Sequence, residues 1–286
     1  SGTVAYFREY EYDRLGNMLD LYHHGGAGNI YHRVFNAGSS NPFEISNLAT
    51  SITYGSTTIN YAFDANGNQI SEGSSRSFEW DFGDRMRGFA EGTSLRAAYL
   101  YDAGGQRVKK IVRNQQGDSV VTVYIDGGFE HLYKLSSGGV VSDAYNELHV
   151  MDDRSRIARV KVFGSTWSGS TADEVRYNLE DHLGNSGFTL DDAGSLITRE
   201  EYFPFGETSF GSFAKKRYRY NGKEKDEESG LYYYGARYYA PWMCLFVSVD
   251  PLAAKYPFYS PFQYAGNQPV ISIDLDGLET DPEKKN

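Results

Sequence analysis

Along most of the chain, aromatic and aliphatic residues alternate with polar ones at a spacing of two. Each short run then ends in a turn-forming cluster. Tyr10-Glu11-Tyr12 leads into Asp13-Arg-Leu-Gly16-Asn17, and Met18-Leu19 begins the return. Such alternation predicts half-buried strands. An aspartate bonds backbone two residues on and glycine accepts positive φ, so the segment reads as a β-hairpin. The unit recurs at Tyr61-Ala-Phe63-Asp64-Ala-Asn-Gly67-Asn68 and at Tyr99-Leu-Tyr101-Asp102-Ala-Gly-Gly105, with a shortened copy at Phe78-Glu-Trp80-Asp81-Phe-Gly83. Asp64, Asp81 and Asp102 lie 17 and 21 residues apart. A period of about one hairpin implies strand pairs that bury their faces only against neighbours.

Between these copies the pattern weakens. His23-His24 before Gly25-Gly26 reads as an exposed loop and not as a metal site, because no Cys or carboxylate cluster follows. Residues 38–42 and Ile45 to Ala49 read as a loop-rich connection. Strands are predicted at Val120 to Ile125, Val140-Val141, Leu148 to Val150 and Ile157 to Val162, with hairpin turns at Gly127-Gly128 and Gly138-Gly139. Ser165 to Asp173 reads as a long loop. Turn units resume at Asp181-His-Leu-Gly184, Asp191-Asp-Ala-Gly194 and Phe203-Pro-Phe-Gly206. Asp181-His182 reads as a turn with a half-buried histidine, since no nucleophile motif accompanies it. No segment sustains a 3.6-residue apolar period, so little helix is expected, with a single turn near Pro251 to Tyr256.

Composition supports this all-β picture. Of 286 residues, 24 are tyrosine, 31 glycine and 8 proline, which suits many short strands and tight turns. The formal net charge of −10 argues against a nucleic-acid groove, which needs clustered Lys and Arg. No apolar run reaches the ~20 residues that span a bilayer, and no signal peptide is visible. A chain that opens on Ser1-Gly2 reads as part of a longer one. The single cysteine, Cys244, lies between Met243 and Leu245 and is expected to be a buried small hydrophobe. No cofactor motif is present.

The densest chemistry lies between Tyr218 and Leu278. Tyr232-Tyr233-Tyr234 and Tyr238-Tyr239 flank Arg237, and Asp250-Pro251 and Asp274-Leu-Asp-Gly277 set two aspartates in turn-like contexts. The five tyrosines with Arg237 are candidates for a sugar-binding platform, or else pack the interior. Arg237 is expected to stack on a ring or pair with a carboxylate. Aspartate before proline, or before a glycine turn, is also an ordinary turn residue.

Together, the Tyr-Asp-x-x-Gly repeats, Asp181-His-Leu-Gly184, Tyr202-Phe-Pro-Phe-Gly206, Gly222-Lys-Glu224 with Asp226, Ser229-Gly-Leu-Tyr232, Gly235-Ala-Arg-Tyr-Tyr239 and Asp250-Pro251 resemble the RHS-repeat (YD-repeat) family. The likeness is loose over the whole chain and tight over 177–278, which looks like the family's RHS-associated core domain. It implies antiparallel hairpin repeats stacked into a curved or spiral sheet, a partial shell over 1–176, closed by the core at 177–278, with a short tail at 279–286. It implies an exported or cell-surface protein that encapsulates a C-terminal toxin or cargo polypeptide. Exposed sheet edges would be covered by self-association or by further N-terminal repeats, with no nucleic-acid partner and no membrane span.

In this family the core often cuts its own chain as an intramolecular aspartyl protease. The resemblance maps that pair onto Asp250 and Asp274, with the cut at Leu278–Glu279 in a single turnover. The alternative is a non-catalytic cell-surface module that binds carbohydrate or protein. This chain departs from the family pattern at Leu275, where a proline is usual. It departs again at Cys244-Leu245, where Gly-Arg is usual, and at Ala240, where aspartate is common. Loss of an arginine at 245 removes one expected carboxylate partner.

Overall fold

The computed structural model describes residues 6–26, 29–38, 46–152, 155–162, 174–211 and 216–278. Among these residues, eighteen strands form one antiparallel sheet. In order they are β1 (Tyr6–Tyr12), β2 (Met18–Gly25), β3 (Ile30–Ala37), β4 (Ala49–Tyr54), β5 (Thr57–Phe63) and β6 (Gln69–Glu72). Then come β7 (Arg76–Trp80), β8 (Met86–Glu91), β9 (Leu95–Tyr101), β10 (Arg107–Asn114), β11 (Ser119–Ile125) and β12 (Phe129–Leu135). The last six are β13 (Val141–Asp152), β14 (Ser155–Val162), β15 (Glu174–Glu180), β16 (Ser186–Leu190), β17 (Leu196–Tyr202) and β18 (Thr208–Gly211). Each strand pairs with its sequence neighbours, and among the described residues β1 and β18 do not pair with each other. A small four-stranded ribbon follows: β19 (Glu224–Lys225), β20 (Tyr232–Tyr233), β21 (Tyr238–Ala240) and β22 (Leu245–Phe246).

The repeat unit explains the hairpins. In the first, the Asp13 carboxylate accepts the Leu15 and Asn17 amides at 2.8 and 2.9 Å, and Gly16 bonds back to the Asp13 carbonyl at 3.1 Å. The register shifts by one residue beside the turn. A bulge of this kind bends a strand and increases its twist. Asp64, Asp102, Asp181 and Asp191 repeat the pattern, each with a left-handed glycine three residues on. Asp81 heads a full-length copy, not the shortened one read from sequence. Asp84, at φ 56°, takes the glycine position and Gly83 does not. His23 and His24 lie in strand β2 and not in a loop, and His23 is buried. Residues 251–256 form a run of i to i+3 turns, and short 3-10 segments at Tyr220–Gly222 and Ala265–Asn267 are each broken by a left-handed residue, Asn221 at φ 49° and Gly266 at φ 61°. The predicted loop at 165–173, and 39–45 of the earlier connection, lie outside the described residues.

A meander places alternate turns on opposite edges. The turns headed by Asp13, Asp64, Asp81, Asp102, Asp181 and Phe203 all follow odd-numbered strands and therefore share one edge. Residues 216–278, the plug, dock along it. Asn267 Nδ2 donates to the Gly16 carbonyl at 2.8 Å, the Gln69 amide to Val247 at 2.9 Å, and the Arg107 amide to the Tyr233 hydroxyl at 2.9 Å. Ser186 N donates to Arg219 at 3.1 Å, and Tyr220 donates to the Pro204 carbonyl at 2.6 Å. The turn of the Tyr202-Phe-Pro-Phe-Gly motif reaches across to the other end of the sheet. Phe203 lies 3.3 Å beneath the Arg8 guanidinium, and Glu207 pairs with Arg33 at 2.7 Å and Arg8 at 3.3 Å. The plug is thus gripped by strands from both ends of the chain.

The inner face changes character along the sheet. Over β2–β9 it buries Leu21, Phe35, Ile52, Tyr61, Phe78, Phe89 and Tyr99, which join one apolar cluster with Tyr220, Tyr232, Tyr239, Phe246 and Tyr264 of the plug. Over β10–β17 it buries Lys110, Glu130, Glu147, His149, Arg159, Asn178, Thr198 and Glu200. Here the plug is seated by charge. Arg107 pairs with Glu224 at 2.7 Å and Asp226 at 2.5 Å. Lys110 pairs with the same two at 3.1 and 2.6 Å. Arg217 reaches Glu130, Glu147 and Glu224, and Tyr124 donates to Glu224. Burial alone would drive Glu224 toward its neutral form, yet Lys110, Arg107 and Arg217 hold it well below the usual carboxylate range.

Two contrasts test this architecture by urea unfolding. Gly206 and Gly194 hold the same turn position at φ 86° and 79°, but a Cβ on Gly206 would stand 2.6 Å from Tyr220, whereas at Gly194 nothing lies within 4 Å. Gly194→Ala should cost about 1 kcal/mol for left-handed backbone, and Gly206→Ala about 3 kcal/mol because overpacking adds to it. Equal losses would show that the Tyr220 contact does not form. Arg107→Met should cost about 3–5 kcal/mol, as for any buried pair stripped of one partner. Arg87→Met, at the exposed pair with Glu79, should change stability by less than about 0.5 kcal/mol.

Candidate active site

Strands β20 and β21 are joined by a turn in which Tyr234 N donates to the Arg237 carbonyl at 3.0 Å. That turn delivers Arg237 into the interior, where it is 1% exposed. Its guanidinium lies 3.7 Å from the Phe246 ring centroid. Nη2 pairs with Asp250 Oδ2 at 2.6 Å and faces Asp274 Oδ2 at 3.5 Å. Nη1 donates to the Pro261 carbonyl at 3.1 Å, and Nε to the Gly277 carbonyl. One side chain therefore gathers both aspartates and the backbone next to Leu278. A buried guanidinium demands such partners, since an unpaired one is strongly destabilising.

Each aspartate is also fixed by its own turn. Asp250 Oδ1 accepts the Leu252 amide at 2.6 Å. Asp274 Oδ1 accepts the Gly277 amide at 2.7 Å and the Asp276 amide at 3.2 Å. Removal from water pushes the Asp274 carboxyl up to about 6, with Arg237 and the two amides pulling against that shift. The cluster sets a carboxyl that burial drives toward its neutral form, 3.5 Å from the guanidinium, beside a second held closer, at 2.6 Å. A general acid and a general base of an amide hydrolysis need that division of roles. Leu278 is the last described residue of the chain, and Glu279, on the far side of the expected cut, lies outside the described residues.

One feature of the local sequence enforces this approach. Gly277 sits at φ 80°, and a Cβ there would lie 2.8 Å from the Arg237 amide. Cys244 takes φ 59° and is buried, and burial pushes its thiol up, away from reactivity. The family's glycine at 244 would adopt that backbone without strain. Arg237 both stacks and pairs, as its setting suggested, and it supplies the carboxylate partner that Leu245 does not. Sequence reasoning missed that one arginine would serve both aspartates, whose only signal was its place among the tyrosines. It also missed Lys223, which donates to the Leu275 carbonyl.

The aromatic candidates lie inside. Tyr232, Tyr234, Tyr238 and Tyr239 are at most 2% exposed, and Tyr233 is half-buried beneath the Arg107 guanidinium at 4.2 Å. They form the centre of the plug and present no solvent-facing strip. Among the described residues no group of His, Cys, Asp and Glu could hold a metal ion, and no helix is long and apolar enough to cross a membrane.

No family model matches the chain. It is 30% identical over 295 residues to toxin subunit YenC1 of Yersinia entomophaga, covering 96% of this chain and 29% of that one. It is 27% identical to the tRNA nuclease WapA of Bacillus subtilis, over 96% of this chain and 11% of that protein. Its fold matches the crystal structure of TcdB2–TccC3 without the hypervariable C-terminal region, with a TM-score of 0.81, 26% identity, and coverage of 96% of this chain and 13% of that one. The chain thus spans under a third of the curated relatives it matches. With its Asp-x-x-Gly hairpins, most of them along one sheet edge, its plug and these relatives, the chain belongs to the RHS-repeat (YD-repeat) family.

Proposed function

We propose that this chain is the closing portion of a toxin-associated, exported RHS shell, and that its plug cuts the chain once after Leu278. The observation that carries the second claim is the Arg237 cluster, which joins the buried Asp250, Asp274 and the Gly277 carbonyl. In the cut, water adds to the Leu278 carbonyl carbon and gives its proton to Asp250. Protonated Asp274 donates to the leaving amide nitrogen of Glu279, and the C–N bond breaks. The substrate is held by its own chain, so the attack is effectively unimolecular, and modest machinery suffices for one turnover. The shell reading is supported by the charged inner face over β10–β17 and by the plug docked along one edge. The toxin names of several relatives support it too. A cargo polypeptide following Leu278 would be what the shell encloses.

The test is intact mass of purified protein over days. The wild-type chain should yield a species ending at Leu278, and Asp274→Asn and Asp250→Asn should stay whole. Asp274 acts in its protonated form, so as pH rises above about 6 the competent fraction, and with it the rate, should fall roughly tenfold per unit. Full-length wild-type protein persisting at pH 5.5 would refute the cut.

A further inference from the structure

We infer that Lys223 is a positioning residue for this cut, clamping at Leu275 the backbone that leads to the scissile carbonyl, while Arg237 holds it at Gly277; the inference rests on the self-cleavage reading above. The segment entering the cut is pinned at three consecutive carbonyls. Leu275 O accepts from Lys223 Nζ, Asp276 O from the Ala236 amide at 2.8 Å, and Gly277 O from Arg237 Nε. Ala236 and Arg237 belong to one turn and move together. Lys223 comes from elsewhere, just after the Tyr220–Gly222 turn.

That origin gives the clamp its stiffness. The Lys223 carbonyl accepts the Arg219 amide at 2.9 Å and its amide donates to Tyr220 at 3.0 Å. The next residue, Glu224, is locked to Arg107, Lys110 and Arg217. The lysine thus connects the charged seat on the sheet to the aspartate turn. Its ammonium stands 5.2 Å from the Tyr234 ring centroid. It lines a cleft of about 590 Å³ with Tyr218, Tyr234, Gly235, Leu275 and Asp276. The nearby anions are Asp274 and Asp276, and Arg156 is the nearby cation. A lysine that merely covered Tyr234 with its stem would need no bond to Leu275. This one ends on the loop that carries Asp274.

The test uses the full chain with Lys223→Met, which keeps length and apolar stem, and Lys223→Arg, which keeps the charge. Two readouts are taken. One is the titration midpoint of Asp274 by carbon NMR, assigned by difference from Asp274→Asn. The other is the pH profile of cleavage. Losing a nearby cation favours the neutral carboxyl, so Lys223→Met should move the midpoint and the alkaline limb upward by about half a unit or more. It should also slow the maximal cut about tenfold, and Lys223→Arg should restore both. A Lys223→Met protein with the wild-type midpoint and limb would overturn the assignment. A midpoint that moves in Lys223→Met and returns in Lys223→Arg, in a chain that never cuts, would support the Lys223 clamp on the Asp274 loop and defeat the cleavage reading alone.

Discussion

The structure depends on a set of charges buried between the sheet and its plug. Arg107 and Lys110 of β10 meet Glu224 and Asp226 of the plug, and Arg217 returns from the plug to Glu130 and Glu147 on β12 and β13. Burying any one of these alone would cost several kcal/mol. Together they are tolerated, and they define a single seat. An apolar contact can slide by a residue at small cost, whereas a displaced ion pair leaves charges unpaired. The aromatic cluster over β2–β9 contributes burial, and the ionic half fixes the register.

The site follows from that seat. Glu224 and Asp226 anchor the start of the small ribbon, and Tyr232, Tyr234 and Tyr239 fill the space beneath the Asp-x-x-Gly edge. The turn between β20 and β21 then has one place to go, and it carries Arg237 there. Arg237 draws Asp250 and Asp274 to a common point although they are separated by 24 positions. The turn at Phe203 to Glu207 closes the grip from the far end by pairing with Arg8 and Arg33. Repeats, plug and site are consequences of one another.

Much of the hairpin framework was legible, because the aspartate, the left-handed glycine and the alternation are local signals. The exceptions have physical reasons. At Asp81 the left-handed position is held by Asp84, and aspartate is one of the few residues besides glycine that tolerate it. His23 reads as a loop residue because its partner, Arg8, lies on the neighbouring strand, donating to Nδ1 at 3.1 Å. Over β13–β17 the alternation is visible but its sense is reversed. Leu148, Val150, Leu179 and Phe188 face outward, while Glu147, His149, Asn178 and Thr189 are buried. Spacing shows which residues share a face and not which face is inside. The role of Arg237 was hidden for a similar reason, since its partners come from turns far along the chain.

The central claim is that plug and sheet form one cooperative unit, locked by buried charge and holding the aspartates in place. Native-state hydrogen exchange tests it most directly. Amides of β10–β13, of residues 224–226 and of 232–240 should share one opening free energy, equal to that of global unfolding. Exchange of 224–240 through a lower-energy opening, while β10–β13 stay protected, would show that the plug is a separable appendage and would contradict the account.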